Sequence, residues 1–278
     1  IQKLAEGRPY SYLVEHKFDG VSLSLHYENG LLMRGVTRGD GQQGDEITAN
    51  AKTIGSVPLR LRGNHFPDQL EVRGEVMMFQ SDFGALNQAR EAEGLAPLMN
   101  PRNTTAGTLK MQDSGHVAAS PLQFFAYHLI TNPLTVPSDY EQIDLLENWG
   151  FKLGKFHSHC PTIQAVHHYI QAWEERRKDL DYDIDGIVIK VNELDLREIM
   201  GNTAKAPRWA IAFKYKAVES YTQVESVDYQ VGRTGKITPV ANLIPVLLAG
   251  TTVKRASIHN ADEIGRLDLH LEDTVSIE

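Results

Sequence analysis

Cysteine is almost absent. Cys160 stands alone among 278 residues, which excludes an internal disulfide and any multi-cysteine zinc site. Long apolar runs are missing as well. No stretch approaches the roughly 20 residues of a membrane-spanning helix, and no basic segment leads into a short apolar one as in a secretory leader. A cytoplasmic location with no membrane partner is therefore the expectation. There is no basic excess, since the net charge is -8. Phosphate recognition needs only a local basic face, however, not a basic total. Acidic residues disappear between Ile199 and Val218, where Lys205, Arg208, Lys214 and Lys216 all fall. Charge alone leaves that run open as a solvated face or a phosphate-facing one. Repeats and low-complexity tracts are lacking too. Ile1 is no natural start, so a trimmed segment is expected. What remains, 41% hydrophobic and 23% charged residues, suits a soluble globular chain with one large domain, or one plus a smaller.

The first half reads as sheet. Val21 to Tyr27 alternates, Glu28-Asn29-Gly30 turns the chain, and Leu31 to Thr37 returns. The loop Arg38-Gly39-Asp40-Gly41 follows, and Asp45 to Ile54 suits a short helix. LEVRGEVMM and LQFFAYHLI are strand-like, and between them Ser81 is placed to cap a helix running to about Glu93, with Gly94 as its stop. Amphipathic helices are expected near Tyr140 to Trp149 and Ile163 to Lys178, then the strand GIVIKV, a short helix around Leu194 to Met200, and the strand RWAIAFKYKA. After about Ala217 short β-like runs with turns at Gly232, Gly235 and Gly250 suggest a small all-β domain, a barrel that stops unfinished at Glu278.

Several motifs compete for a function. DYDIDGIVIKVN puts Asp181, Asp183, Asp185 and Gly186 at the first, third, fifth and sixth positions of a calcium loop. Its twelfth position is Asn192 instead of a bidentate Glu, and Gly186 leads into a β-branched run better suited to a buried strand. GRTGK is too short for a phosphate-binding P-loop. His157, His159 and Cys160 lie in a Pro-flanked loop, while His167 and His168 are adjacent on a helix and point apart; exposed polar positions are expected there, without metal-ligand spacing. Lys17 opens an apolar strand in KFDG. A lysine amine attacks phosphorus only when neutral, and burial or a neighbouring cation favours that state. Lys190 in IVIKV and Lys214 in AIAFKYK are such cations. One lysine in an apolar run is usually a snorkelling edge residue; three, each with carboxylates nearby, look like a phosphate pocket.

In order, KFDG, TRGDG, LEVRGEV, NPRN with AGTLK, FFAYHL, DIDGIVIKV and APRWAIAFKYKA resemble the adenylation domain of NAD-dependent bacterial DNA ligases. VGRTGKITPVA and ASIHNADEI resemble the start of that family's OB-fold domain. The resemblance covers essentially the whole chain. It implies an α+β nucleotidyltransferase domain of antiparallel sheets flanked by helices over residues 1–217, followed by a truncated all-β OB-fold over residues 218–278. By the same resemblance Lys17 is the nucleophile that bonds to AMP, and Asp19 positions it and the ribose. Glu15 contacts the adenine amino group and the backbone at His16 reads the base edge. Arg38 contacts ribose and phosphate, and Glu75 holds a ribose hydroxyl and reaches the metal through water. Tyr127 stacks on adenine, Asp185 orients metal-bound water, and Lys190 and Lys214 neutralise the α-phosphate. Arg102 and Lys110 bind DNA phosphate or the activated end, and Arg208 of the basic run joins them in DNA binding. NAD supplies AMP, magnesium neutralises charge, and a monomer is expected to act on nicked double-stranded DNA.

Some positions depart from the family. His16 stands where leucine or isoleucine is usual, a position acting through its backbone. Lys110 replaces an arginine and loses bidentate phosphate geometry. Thr104-Thr105 follow NPRN where alanines are common. The family's N-terminal domain for the nicotinamide mononucleotide half is not in these residues, nor is its four-cysteine zinc finger, so inefficient use of NAD and no efficient ligation are expected of this chain alone. The rivals are an ATP-dependent ligase or capping-type nucleotidyltransferase, a calcium-binding module through Asp181, Asp183 and Asp185, and a DNA-binding fragment without chemistry.

Overall fold

The computed structural model describes residues 1–39, 43–63, 65–132, 136–154, 157–204, 206–216, 219–248 and 251–278. Lys205, Gly250, the Asp40-Gly41 part of TRGDG and the expected 217/218 boundary lie outside the described residues. The chain divides into two compact units, residues 1–215 and 216–278.

The larger unit carries two four-stranded sheets. One has the order β6-β1-β7-β8, from β1 (Tyr12–Phe18), β6 (Ser158–Cys160), β7 (Ile184–Val191) and β8 (Ala210–Lys214). The other has the order β3-β2-β4-β5, from β2 (Val21–Glu28), β3 (Leu31–Thr37), β4 (Gln69–Met78) and β5 (Leu122–Thr131). Every pairing within these sheets is antiparallel. The helices are α1 (Thr48–Ala51), α2 (Gln80–Ala92), α3 (Pro101–Leu109), α4 (Ser114–Ala118), α5 (Asp139–Asn148), α6 (Ile163–Arg176) and α7 (Leu194–Met200). This is the expected α+β arrangement.

Alternation decides which face of each sheet is core. On the β2 sheet, Leu23, Leu25, Val72, Val76 and Phe124 are fully buried in one apolar cluster with Leu109 and Leu146 from the covering helices. On the β1 sheet, Tyr12, Val14, Ile187 and Ile189 are buried in a second cluster with Val166 of α6. Burial of such side chains is worth about 1.5–3 kcal/mol each. The opposite face of each sheet carries the polar groups of the site described below, alongside buried Leu13 on β1, Met77 on β4 and Phe125 on β5.

The smaller unit is a four-stranded sheet of order β11-β10-β9-β12, made of β9 (Ser220–Val231), β10 (Ile237–Leu248), β11 (Thr251–Ser257) and β12 (Thr274–Ile277). Val224, Ala241, Leu243 and Ile258 form its core. Asn260 caps α8 (Ala261–Leu267) by accepting from the Glu263 amide, which gives the HNADE stretch a local structural role.

Four expectations need correction. The α1 helix is one turn, shorter than Asp45 to Ile54. Ser81 does not cap α2; Phe79 occupies that position without a side-chain cap. The free amides are met from elsewhere in the chain: Asp181 accepts from Ser81 N at 2.8 Å and Ser81 Oγ at 2.7 Å, and its carbonyl accepts from Gln80 N. Asp183 accepts from Gln80 Nε2 at 2.6 Å. Asp181 and Asp183 are thus tied to the start of α2, and the three carboxylates of the calcium-like run serve separate partners. Cys160 is also buried, 3% exposed, because β6 pairs it with Tyr12 at the sheet edge.

Candidate active site

The register across the β1 sheet builds one wall. Lys17 lies opposite Gly186, and Gly186 opposite Lys214, so the two lysines flank one row. Glu15 lies opposite Val188 and Leu13 opposite Lys190. Residues two apart share a face, so Lys17, Glu15, Lys190 and Lys214 all project from the same side. The pairing slips between Lys17 and Phe18, which lies opposite Ile184. Asp185 is therefore the extra residue of a β-bulge, and a bulge re-aims a side chain. Its carboxylate turns to the lysine face, accepts from Lys17 Nζ at 2.7 and 2.8 Å and lies 3.6 Å from Lys214 Nζ. The two motif glycines make this approach possible. A Cβ on Gly186 would collide with the Phe213 carbonyl, and one on Gly20 with the Val76 carbonyl.

The β2 sheet supplies the other wall. Ser22 lies opposite Glu75, and Ser22 Oγ is 2.9 Å from Tyr127 Oη. Lys190 crosses the cleft, its Nζ donating to the Tyr127 carbonyl at 2.9 Å and lying 5.9 Å from the Tyr127 ring centre. Burial pushes the Glu75 carboxyl up to about 7, with Lys17 and Arg102 opposing the rise and Asp19 adding to it. Burial likewise raises the Tyr127 phenol to about 12. Asp19 is fixed on both sides: its amide donates to the Asp183 carbonyl at 3.0 Å and its carboxylate accepts from Arg102 Nη1 at 2.6 Å. The Arg38 amide donates to the Ser22 carbonyl, placing the exposed Arg38 at the edge of the cleft.

The three amines share a face but not a carboxylate. Lys17 and Lys214 meet on Asp185. Lys190 instead pairs with Glu15 at 2.7 Å and approaches Asp139 at 3.5 Å. Asp139 in turn pairs with Arg197 at 2.6 Å. Burial alone would raise the Asp139 carboxyl; Lys190 and Arg197 overcome it and hold Asp139 below the usual carboxylate range. His16 points the other way, into the α6 side. It is 3% exposed, its ring is edge-on to Trp173 at 4.2 Å, and burial lowers it to about 4. Its side chain therefore belongs to the core. Arg102 joins the cleft through Asp19, Lys110 pairs with Asp45 at 2.7 Å, and Arg208 is exposed. Sequence reasoning missed Ser22, Asp139, Arg197 and His128. The last is lowered to about 4 by burial and then by Lys190.

Among the described residues no group of three or more His, Cys, Asp or Glu is gathered to hold a metal ion. Magnesium takes as few as one or two carboxylates and completes its shell with water and substrate phosphate; Glu75 and Asp185 are the carboxylates of that chemistry here, with Asp185 already paired to Lys17. No helix among the described residues is long and apolar enough to cross a membrane.

Residues 1–218 match the family model for the NAD-dependent DNA ligase adenylation domain, and residues 221–278 that for the NAD-dependent DNA ligase OB-fold domain. A DNA ligase of Flavobacterium psychrophilum is 50% identical over all of this chain and 42% of its own length. One of Cytophaga hutchinsonii is 50% identical over all of this chain and 41% of its own. The chain thus spans about two-fifths of these curated relatives. A solved structure titled "Pmar-Lig_Pre." superposes with a TM-score of 0.58 at 14% identity, covering 99% of this chain and 59% of that one. Another, on Lig E DNA ligases that bind DNA with a minimal scaffold, gives 0.54 at 12%, covering 95% and 84%. These two likenesses concern the fold.

Proposed function

The chain belongs to the NAD-dependent DNA ligases, matching their adenylation and OB-fold domains, and from that premise we propose that Lys17 accepts AMP from NAD as the first step of nick sealing. The Lys17 amine attacks the α-phosphorus, a P–N bond forms, the P–O bond to nicotinamide mononucleotide breaks, and the amine loses a proton. The observation that carries this is the sharing of Asp185 by Lys17 and Lys214 on a face opposite Glu75 and Tyr127. Asp185 is the nearest acceptor for the proton that Lys17 must shed. Lys214 stands beside it to meet the charge that builds on phosphorus in the transition state. Arg102 holds Asp19, and through it the KFDG turn that carries Lys17.

The remaining assignments follow the same reading. Glu15, the His16 backbone and Tyr127 would receive the base, Arg38 and Glu75 the ribose, and Lys190 with Lys214 the phosphate side. Magnesium held through Glu75 and Asp185 would supply charge neutralisation. Lys110 and Arg208, both exposed, would meet the phosphates of nicked DNA, with a monomeric, cytoplasmic bacterial protein as the setting.

The test is intact-mass measurement of the protein in its full-length form after incubation with NAD and Mg²⁺. One AMP-sized adduct, mapped by peptide to Lys17 and lost in Lys17→Arg, is expected. ATP in place of NAD should give none. An adduct from ATP but not NAD, or one on another residue, would overturn the proposal.

A further inference from the structure

We infer that Asp139 and Arg197 are positioning residues that lock the Lys190 ammonium against Glu15 and the Tyr127 carbonyl. They touch no nucleotide and act on adenylation only through Lys190. The catalytic half of this inference rests on the proposed adenylation; the structural half does not.

The Asp139–Arg197 pair does not take the geometry that would be optimal for its own sake. Arginine–carboxylate pairs are frequently bidentate, with two parallel bonds. Here one oxygen does all the work. Asp139 Oδ2 accepts from Arg197 Nη2 at 2.6 Å and also faces Lys190 Nζ at 3.5 Å. Among the described residues, Asp139 Oδ1 and Arg197 Nη1 are buried with no hydrogen-bond partner. The pair gives up its second bond, and what that arrangement leaves is one oxygen shared with the lysine.

Each partner is also held from behind. Arg197 Nε donates to the Val191 carbonyl at 2.5 Å, and its guanidinium lies 4.4 Å from the Trp209 ring centre. Trp209 accepts from the Val191 amide. Asp139 is the first residue of α5, and its amide donates to the Asn192 carbonyl at 2.8 Å. Both residues are thus anchored to the end of β7, the strand that carries Lys190. Glu15 on β1, Asp139 on α5, Arg197 on α7 and Tyr127 with His128 on β5 are the titratable groups facing that ammonium. With Arg197 occupying the nearer side of Asp139, Lys190 stays with Glu15. Without Arg197, two buried carboxylates would compete for one ammonium.

Two measurements separate the halves. The first is acylation by an amine-reactive ester, read residue by residue by mass spectrometry, with Cys160 alkylation as the control for unfolding. Lys190, with 6% of its side chain exposed, is expected to be protected, and Lys214, at 67%, to react. D139N should raise Lys190 labelling about tenfold with Lys214 and Cys160 unchanged, and R197K, which keeps the buried charge but loses the fork, should raise it less. Should D139N unfold and label everywhere, R197K alone decides. Unchanged Lys190 labelling in a folded variant overturns the lock. The second is the single-turnover rate of adduct formation with saturating NAD in the full-length protein. D139N should slow it about tenfold, and D139N added to K190A should cost nothing further, the non-additivity expected of residues acting as one unit. An equal further loss in the K190A background would make Asp139 a residue of general stability and overturn its positioning role. No adduct from the unaltered protein would instead sink the adenylation reading while leaving the labelling result standing.

Discussion

The same sheet face carries two lysine–carboxylate clusters that differ chiefly in their contact with water. At one end Lys17, Asp185 and Lys214 have side chains 30%, 29% and 67% exposed. At the other, Lys190, Glu15, Asp139 and Arg197 are 6%, 10%, 1% and 6% exposed. In the solvated cluster each ion pair is worth about 0–1 kcal/mol, because water competes and the side chains keep their freedom. An amine held that loosely can exchange its carboxylate for a phosphate. In the buried cluster the charges are two and two, and removing any one strands another where it cannot be solvated. A sheet face can therefore hold an accessible lysine and a fixed one, and at the fixed end Asp139 of α5 and Arg197 of α7 close over Lys190.

The largest expected effect breaks that comparison at its buried end. R197M should lower the free energy of unfolding in denaturant by about 3–5 kcal/mol, since Asp139 is left charged with only the more distant Lys190 to face it. A loss below about 1 kcal/mol would place this cluster with the solvated one.

A smaller effect sharpens the comparison through two histidines, buried His16 on the opposite face of β1 and His128 on β5. His16 and His128 are both held near 4 by burial, below the ordinary 6.5 of an unfolded imidazole. Between those values the unfolded chain binds more protons than the folded one. Stability is therefore fully present above about pH 6.5 and is lost as the pH falls toward 4. H16L should remove one share of that loss, roughly 2–3 kcal/mol between pH 7 and pH 4.5, and flatten the stability profile read by denaturant melts. An unaltered acid slope in the variant would mean that His16 carries a proton in the folded state.

Much of this contrast could not be read from the chain as letters. The sheets and the hairpin at Asn29-Gly30 were legible because alternation and turn chemistry are local. So were Lys17, Lys190 and Lys214, since charge interrupting an apolar run is conspicuous, and the ordered motifs gave the family. Asp139 and Arg197 left no such signal. Asp139 looks like an ordinary acidic residue in a first helical turn, and Arg197 like a solvated member of LDLREIM; the packing of α5 on β5 and of α7 on β7 buries them. The calcium-like run misled for the converse reason. Its spacing was real, but a bulge at Asp185 and the reach of Asp181 to Ser81 sent the carboxylates to different partners, and neither event is local.

The smallest expected change in stability tests the solvated end. Lys214 sits on the edge strand β8, 3.6 Å from Asp185, while Lys17 already satisfies that carboxylate at 2.7 Å. K214M should therefore shift the free energy of unfolding by less than about 1 kcal/mol, the exposed pair being screened by water. Its effect on adduct formation should be far larger. A cation set beside a developing phosphorane charge acts in the transition state and not in the resting fold, and losing one such group costs about 100-fold or more. Measured together, a denaturant melt and a single-turnover rate should part company for K214M and move together for R197M. If K214M instead lowered stability as much as it slowed adenylation, Lys214 would be holding the edge of the sheet, and the reactive end of the cleft would have to be rebuilt around Lys17 and Asp185 alone.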